Sequence, residues 1–296
     1  MSDPSTLEEA TRKTYRYLRV AIVGMVALLA VSVVIELVWG DVGQLGSISA
    51  YYYTPVRAIF VGALMAVGLS LIAIRGRDGA EDTLLNLAGM LAPVVALVPT
   101  PLSRTNAEGG AERYLPDEFL PSVENNLSAL LVLGALGLGF AAWTAHRNQR
   151  GRRAAMVGVL VGGAGFVGFA VWFAAGRDSF VVGAHYVAAV PLFLCISAVA
   201  LINARAAKAM EDDRPAVQML PAERRAVLYQ LIAYAMVATL VVAGILFALQ
   251  AAESTPVDHW LFYVETVLLA LFVTFWLLQT AEYWEEGIPE EVAAAG

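Results

Sequence analysis

Residues 18–39 read LRVAIVGMVALLAVSVVIELVW, and this stretch decides the fold class. Only Arg19 and Glu36 carry a charge within it. A helix needs about 20 mostly apolar residues to cross the hydrocarbon core of a bilayer. Basic residues precede the stretch, as in a signal peptide, but it is longer than a secretory apolar region and no A-x-A-like cleavage site follows it. We therefore predict a retained first transmembrane span.

Seven further stretches of the chain are similarly apolar. They cover residues 57–74, 83–99, 126–145, 155–175, 180–203, 227–250 and 258–280. The whole chain is 59% hydrophobic and 15% charged, whereas soluble domains are roughly 45–50% apolar and about 25% charged. The sequence thus predicts an all-α, polytopic membrane helix bundle with eight transmembrane helices, forming one integral membrane domain over residues 1–296.

The Lys and Arg residues indicate the orientation of these spans. If the N-terminus is cytoplasmic, 15 of the 19 basic residues fall in cytoplasmic segments, and only Arg57, Arg104, Arg113 and Arg177 fall outside. Cytoplasmic loops of membrane proteins carry an excess of Lys and Arg. We therefore expect a multi-pass protein of the plasma membrane with both termini in the cytoplasm (N-in/C-in), and residues 283–296 form an acidic cytoplasmic tail.

Composition and missing motifs exclude several classes of function. The formal charge of −7 argues against a nucleic-acid partner. Cys195 is the single cysteine, so neither an intrachain disulfide nor a cysteine-based metal site can form. The chain has no P-loop, nucleophile elbow, H-E-x-x-H or dinucleotide motif. The sequence therefore assigns no catalytic residue, predicts no cofactor and leaves the oligomeric state open, with the lipid bilayer as the expected partner.

Polar side chains gather near the outer ends of the predicted spans. A charge at the centre of a membrane helix costs roughly 2.5–3.5 kcal/mol on insertion scales, so such groups are candidates for a functional site. Their positions predict an outward-facing pocket that binds or passes a small molecule or a lipid headgroup. The predicted lining residues are Glu36, Ser47, Ser49, Arg57, His185, His259 and Glu265.

Two alternatives stay open for the charged members of this set. Glu265 is either a carboxylate that binds a proton, an ion or a metal, or the partner of Arg57 in an ion pair between helices. His185 and His259 are either two ligands of one metal site, with Glu265 as a third candidate, or separate interfacial histidines. Two imidazoles and a carboxylate within roughly 4 Å of one point would favour the metal.

Residues 47–54 read SISAYYYT, and they are followed by Arg57, by FVG at 60–62 and by Gly68. In these residues the chain resembles a group of uncharacterised bacterial multi-spanning membrane proteins. The same pattern continues in ED at 81–82, NLAG at 86–89, VPT at 98–100 and FWLLQTAE at 275–282. The resemblance covers most of the chain, but it implies no known activity.

Ser49 and Tyr53, four positions apart, carry a weaker similarity to the CREST superfamily of membrane hydrolases and receptors, which includes the alkaline ceramidases. That family's pattern has a Ser, three residues and a His, with an Asp and an H-x-x-x-H elsewhere that complete a zinc site. Here Tyr53 replaces the histidine, while His185 and His259 stand singly. The resemblance implies, as an alternative function, a zinc-dependent lipid amidase or esterase.

Three hypotheses of function follow from the sequence. The first, which we favour, is a non-enzymatic binding or transport-like membrane protein with a pocket open to the outer side. The second is the zinc hydrolase, whose metal ligands could come only from His185, His259 and a carboxylate such as Glu265. The third is a structural scaffold, in which substitution of the polar residues alters stability alone.

Overall fold

The computed structural model describes residues 4–105, 111–147, 152–209, 220–252 and 257–284. Over these ranges the chain forms eight α-helices, a short 3₁₀ helix and a two-stranded antiparallel hairpin. The α-helices are α1 (Pro4–Trp39), α2 (Arg57–Ala73), α3 (Gly79–Leu97), α4 (Leu120–Arg147), α5 (Arg152–Ala175), α6 (Arg177–Ala209), α7 (Ala222–Ala251) and α8 (Trp260–Glu282). The 3₁₀ helix is η1 (Ser49–Tyr53), and the hairpin strands are β1 (Leu102–Thr105) and β2 (Ala111–Tyr114).

The all-helical prediction is confirmed, and seven of the described helices are long and apolar enough to cross a membrane. The exception is α2, which has 17 residues and is therefore about 25 Å long. This is shorter than the hydrocarbon core of roughly 30 Å. The fold thus fits a membrane protein, while the eighth span stays a prediction.

Several helices extend beyond the predicted spans, because hydropathy detects the apolar part of a helix and not its ends. Helix α1 begins at Pro4 although the apolar run begins at residue 18, and α4 begins at Leu120 although its span was predicted from residue 126. Helix α6 continues to Ala209. Residues 285–296, most of the predicted acidic tail, lie outside the described residues.

Helices α3 and α6 form the centre of the bundle. Helix α3 packs against α2 and α6, α6 packs against α7, and α1 packs against α2 and α8. The outward faces are covered by exposed apolar side chains, among them Val38, Leu136, Leu160 and Leu231. Soluble monomers rarely expose a continuous apolar surface of more than a few hundred Å². This surface is therefore suited to contact with lipid.

Side-chain contacts divide the helix ends into two groups. At the "arginine end", defined by Arg19, Arg77 and Arg225, the cationic group of Arg19 lies 4.9 Å from the Tyr283 ring centre near the end of α8. At the "serine end", defined by Ser49, His185 and Glu265, η1 contacts the first third of α6 and of α8. Along the chain, successive helices thus start alternately at the arginine end and at the serine end of the bundle.

Candidate functional site

The chain between α1 and α2 turns back into the serine end of the bundle. Gly43 has a φ of +63°, a left-handed conformation that glycine adopts without steric cost. The Tyr51 hydroxyl donates to the Gly43 carbonyl over 3.0 Å, and Ser47 Oγ accepts the Ala50 N–H over 2.9 Å. These local bonds hold η1 in place, so that Ser49 is buried inside the bundle.

Thr100 ties η1 to the segment that follows α3. Its N–H donates to Ser49 Oγ over 3.0 Å, and its carbonyl accepts from the Tyr53 hydroxyl over 3.0 Å. Its own hydroxyl lies 2.6 Å from Ser47 Oγ. The Tyr53 hydroxyl thus acts as a hydrogen-bond donor that holds η1 against the segment after α3.

His185 lies about 12 Å along α6 from its first residue and is only 4% exposed. Its Nδ1 lies 2.8 Å from the Val98 carbonyl oxygen and 3.3 Å from Ser49 Oγ. A carbonyl oxygen can only accept a hydrogen bond, so Nδ1 carries a proton and donates to Val98. This bond fixes the ring orientation and leaves Nε2 directed at Glu265.

Glu265 faces both Ser49 and His185. Its Oε2 accepts the Ser49 N–H over 3.1 Å, and its Oε1 lies 3.7 Å from His185 Nε2. With the Nδ1 proton already committed, a neutral imidazole presents a lone pair at Nε2, and the carboxylate also presents lone pairs. At 3.7 Å the two atoms are not hydrogen-bonded to each other. Each can accept a hydrogen from a donor that enters the site, whereas an additional proton on Nε2 would make them an ion pair.

These three polar residues line one end of a cavity of about 80 Å³. Its other walls are almost wholly apolar and come from α1, α2, α3, α6, α8 and Ile48: Val26, Leu29, Phe60, Leu64, Val67, Ala92, Val95, Ala189, Leu192, Phe193, Leu269 and Phe272. A single water needs about 10–15 Å³ and two to four polar partners. The cavity is thus large enough for a short apolar chain and offers water few partners except at its polar end.

The Ser49–His185 contact does not form an activated nucleophile in this geometry. A general base must accept the serine proton through a free nitrogen lone pair. Nδ1 is the ring nitrogen nearest Ser49, and its proton is directed at Val98. Ser49 Oγ in turn already accepts the Thr100 N–H. The contact holds the segment together and leaves the reactive lone pair of His185 on the other side of the ring.

Arg57 does not pair with Glu265, so that alternative is wrong. Its cationic group lies 4.6 Å from the Phe119 ring centre and 5.3 Å from the Tyr52 ring centre. An arginine over aromatic faces gains cation–π stabilisation of about 0.5–2 kcal/mol. Glu265 finds its partners in the backbone of Ser49 and in His185 instead.

Three further predicted residues do not line the cavity, and the first of them, Ser47, lies beside Thr100. Glu36 is half-buried beside Gly40 near the end of α1 and does not line the cavity. His259 is exposed and occupies the left-handed position immediately before α8, with a φ of 53°. Across the described ranges, no three His, Cys, Asp or Glu side chains are grouped closely enough to hold a metal ion. The structure unites His185 with Glu265 and leaves His259 outside.

Sequence reasoning missed Thr100 and the whole arginine end. Arg19, Arg77 and Arg225 served only as markers of orientation, yet all three are buried. Glu81 and Glu282 lie in the same layer, where Asn203 donates to Glu81 over 2.7 Å and Arg225 pairs with Glu282 over 3.1 Å. The sequence did contain a signal for this buried layer, because carboxylates occur at the same ends of the predicted spans as the arginines.

Comparison of the chain with protein-family models, with curated proteins and with solved structures gave no match. The two resemblances rest on the residues quoted above. The functional conclusion therefore depends on the geometry of the serine end and its cavity.

Proposed function

We propose that this protein is an eight-span plasma-membrane protein with both termini in the cytoplasm that binds an amphiphile in the cavity below the serine end. The excess of Lys and Arg at the opposite end supports this orientation. Helix α2 alone is shorter than the hydrocarbon core, but η1 directly precedes it on the serine side. The added length of η1 supports the proposal that the two elements cross the bilayer together. The serine end then faces outward.

The main support is the placement of Glu265 and His185 at the end of an apolar cavity. Ionisable groups at membrane depth are expensive and, where they occur, usually mark a ligand or ion pathway. The bonds to Val98 and Ser49 explain how each side chain is held. They do not use Oε1 of Glu265 or Nε2 of His185, and both of these atoms are acceptors in the neutral-imidazole state.

These two free acceptors define the ligand class. A hydroxyl or an amine at the end of an apolar chain would supply the missing hydrogen between them, and an ammonium group would also balance the carboxylate charge. A carboxylate or phosphate group would instead add lone pairs and negative charge, and the nearby arginine, Arg57, lies over aromatic rings. We therefore propose a single-chain alcohol or amine as the ligand.

Photocrosslinking tests this proposal directly. Diazirine-labelled dodecylamine, dodecanol and dodecanoate are added to the purified full chain in lipid nanodiscs, and the crosslinked residues are mapped by mass spectrometry. We expect saturable labelling of cavity residues such as Leu64 and Phe193 by the amine and the alcohol, and little labelling by the carboxylate. Glu265→Gln should weaken labelling by the amine about tenfold, equivalent to about 1.4 kcal/mol.

Two matched controls separate binding in the cavity from partition into lipid. Glu36→Gln makes the same chemical change outside the cavity and should leave labelling unchanged. Ala189→Phe fills the apolar slot and should block labelling, whereas Ala164→Phe on the exposed face of α5 should not. Equal labelling of the parent chain, Glu265→Gln and Ala189→Phe would overturn the proposal.

The other two hypotheses predict different results. A scaffold predicts no saturable labelling of the cavity, with stability changes alone in the Glu265→Gln variant. A zinc hydrolase predicts stoichiometric zinc in the purified protein and its loss in His185→Ala. Metal analysis of the same preparations discriminates between these outcomes.

A further inference from the structure

A second cavity, of about 10 Å³, lies at the arginine end. It shares no lining residue with the proposed ligand site, and along α1, α3, α6 and α8 its walls lie closer to the arginine end. A volume of about 10–15 Å³ accommodates one water-sized atom. Its polar lining residues are Arg19, Arg75, Arg77, Glu81, Asn203, Gln279 and Tyr283, and the remaining wall comes from Trp276, Ile74, Leu85 and Val199.

Three buried donors in this lining have no hydrogen-bond acceptor among the described residues. They are Nε of Arg77, the indole N–H of Trp276 and the hydroxyl of Tyr283. The three residues are 9%, 1% and 2% exposed, respectively. Leaving a buried donor unsatisfied costs about 1–3 kcal/mol. Three such donors around one atom-sized space point to an acceptor that occupies it.

Glu81 lines the same cavity but accepts from none of these three donors. Its Oε2 accepts the backbone N–H of Arg77 over 2.8 Å, and its Oε1 accepts the Asn203 amide over 2.7 Å. Among the described residues, the guanidinium of Arg77 donates to the Asn203 side-chain oxygen over a long 3.4 Å and lies 5.5 Å from the Tyr283 ring centre. Within the described part of the chain, no ion pair joins Arg77 to a carboxylate.

The number and type of donors indicate an anionic oxygen. A water molecule has two lone pairs, whereas a phosphate oxygen carries charge and accepts up to three hydrogen bonds. Arginine forks match phosphate geometry, and Arg75, which is exposed, lies at the mouth of the cavity. Helix α2 ends at Ala73, so in the proposed topology this mouth lies at the level where α2 leaves the bilayer.

We propose that the arginine end binds a phosphate group, one anionic oxygen of which enters the cavity between Arg77, Trp276 and Tyr283. The other oxygens remain at the mouth, near Arg75. The phosphate belongs either to the headgroup of a phospholipid in the adjacent leaflet or to a free phosphate ion. Both sources present the same oxygen to the same donors.

Thermal unfolding of the full chain in phosphate-free bilayers tests the site. Nanodiscs of digalactosyldiacylglycerol contain no phosphate, so either source can be added separately. Sodium phosphate, at ionic strength matched with sodium chloride, forms one arm, and nanodiscs that also contain phosphatidylglycerol form the other. We expect a saturable rise in Tm in at least one arm and none with chloride. The arm that responds identifies the source.

Conservative variants tie the response to the donors. Tyr283→Phe keeps the ring and removes only the hydroxyl, and Trp276→Phe replaces the indole by a smaller ring and removes its N–H. Each should weaken the phosphate response about tenfold, equivalent to about 1.4 kcal/mol. Arg77→Gln should abolish it. Trp39→Phe and Tyr234→Phe make the same changes at exposed positions and should retain the full response.

Three outcomes would overturn the proposal. They are no rise in Tm in either arm, an equal rise with chloride, or an unchanged response in both Trp276→Phe and Tyr283→Phe. In each of these cases the cavity holds water. Because Tyr283→Phe removes one hydroxyl and preserves the packing of the ring, the test does not depend on Arg77→Gln folding normally.

Discussion

Arg225 and Arg177 form ion pairs of the same length in very different surroundings. Each places a guanidinium nitrogen 3.1 Å from a carboxylate oxygen, of Glu282 and Glu124 respectively. The side chains of the first pair are 5% and 3% exposed, and those of the second are 48% and 35% exposed. Tyr229 also donates to Glu282, so the buried pair is part of a network. The effect of losing one partner should therefore differ sharply between the two sites.

We predict that Arg225→Met destabilises the protein by about 3–5 kcal/mol, because it leaves the Glu282 carboxylate buried without its counter-charge. Arg177→Met, the matched exposed change, should cost about 0–1 kcal/mol. Equilibrium unfolding in mixed micelles measures both values. The double variant Arg225→Met/Glu282→Met should recover much of the loss, since it removes both charges. Equal losses in the two single variants would contradict this prediction.

At the level of single residues, sequence reasoning identified Glu265 and His185 as polar groups of one site but did not identify their partners. From the sequence alone, Arg57 was the expected ion-pair partner of Glu265. The structure instead gives Arg57 the ring of Phe119, which lies far along the chain. Partners of this kind depend on how distant segments of the chain meet in the fold. The same is true of the backbone carbonyl of Val98, which is the partner of His185.

Helices α2 and α3 approach each other closely at a pair of glycines, Gly68 and Gly89. A Cβ added to Gly68 would lie 2.9 Å from the Gly89 carbonyl oxygen, and one added to Gly89 would lie 2.7 Å from the Gly68 carbonyl oxygen. Pro93, four residues after Gly89, has no N–H to donate to the Gly89 carbonyl. That carbonyl is thus available to the facing helix. Small residues allow this backbone approach, which is a common way for helices to associate in lipid.

We predict that Gly89→Ala destabilises the protein by about 1–3 kcal/mol, the usual cost of overpacking a tight contact. The new methyl group would also meet Ile72 Cγ1 at 2.6 Å. Gly168→Ala on α5 is the matched control, because nothing lies within 4 Å of its added Cβ. It should be neutral or stabilise by up to about 1 kcal/mol through helix propensity. If the unfolding midpoints of both variants matched the parent chain, the close α2–α3 contact would be wrong.

Elements of the fold were predictable to the extent that apolar runs reveal them. Each predicted span corresponds to a helix, but the ends differ because they are set by capping and not by hydropathy. Asp78 accepts the N–H groups of Ala80 and Glu81 and starts α3 at Gly79, whereas the apolar run begins at residue 83. Asp78 followed three residues later by Glu81 is a capping pattern that could have placed this start. Nothing in periodicity predicted η1, which is held by hydrogen bonds to distant segments.

On the scale of the whole molecule, the two ends of the bundle differ in the charge they bury. The arginine end buries Arg19, Arg77 and Arg225 together with the carboxylates of Glu81 and Glu282, and the serine end buries His185. The basic excess predicted from the sequence is therefore partly inside the protein, where it also serves to join helices. The sequence could predict which ends of the helices lie together, because the count of Lys and Arg sums over many loops. It could not predict burial, because burial depends on which helices are neighbours.

If this charge asymmetry orients the protein, impermeant labelling should report opposite sides for the two ends. In a Cys195→Ser background, Asp41→Cys and Glu118→Cys introduce exposed thiols on the serine side, and Ala80→Cys and Lys208→Cys do so on the arginine side. We expect a membrane-impermeant maleimide to label the first two in intact cells and the last two only after permeabilisation, because the basic end stays cytoplasmic. The Asp41 and Ala80 positions flank α2, so their labelling from opposite sides would require α2 and η1 to cross the membrane together. Labelling of both positions from one side would mean that α2 does not cross, and the outward opening of the proposed amphiphile site would fail with it.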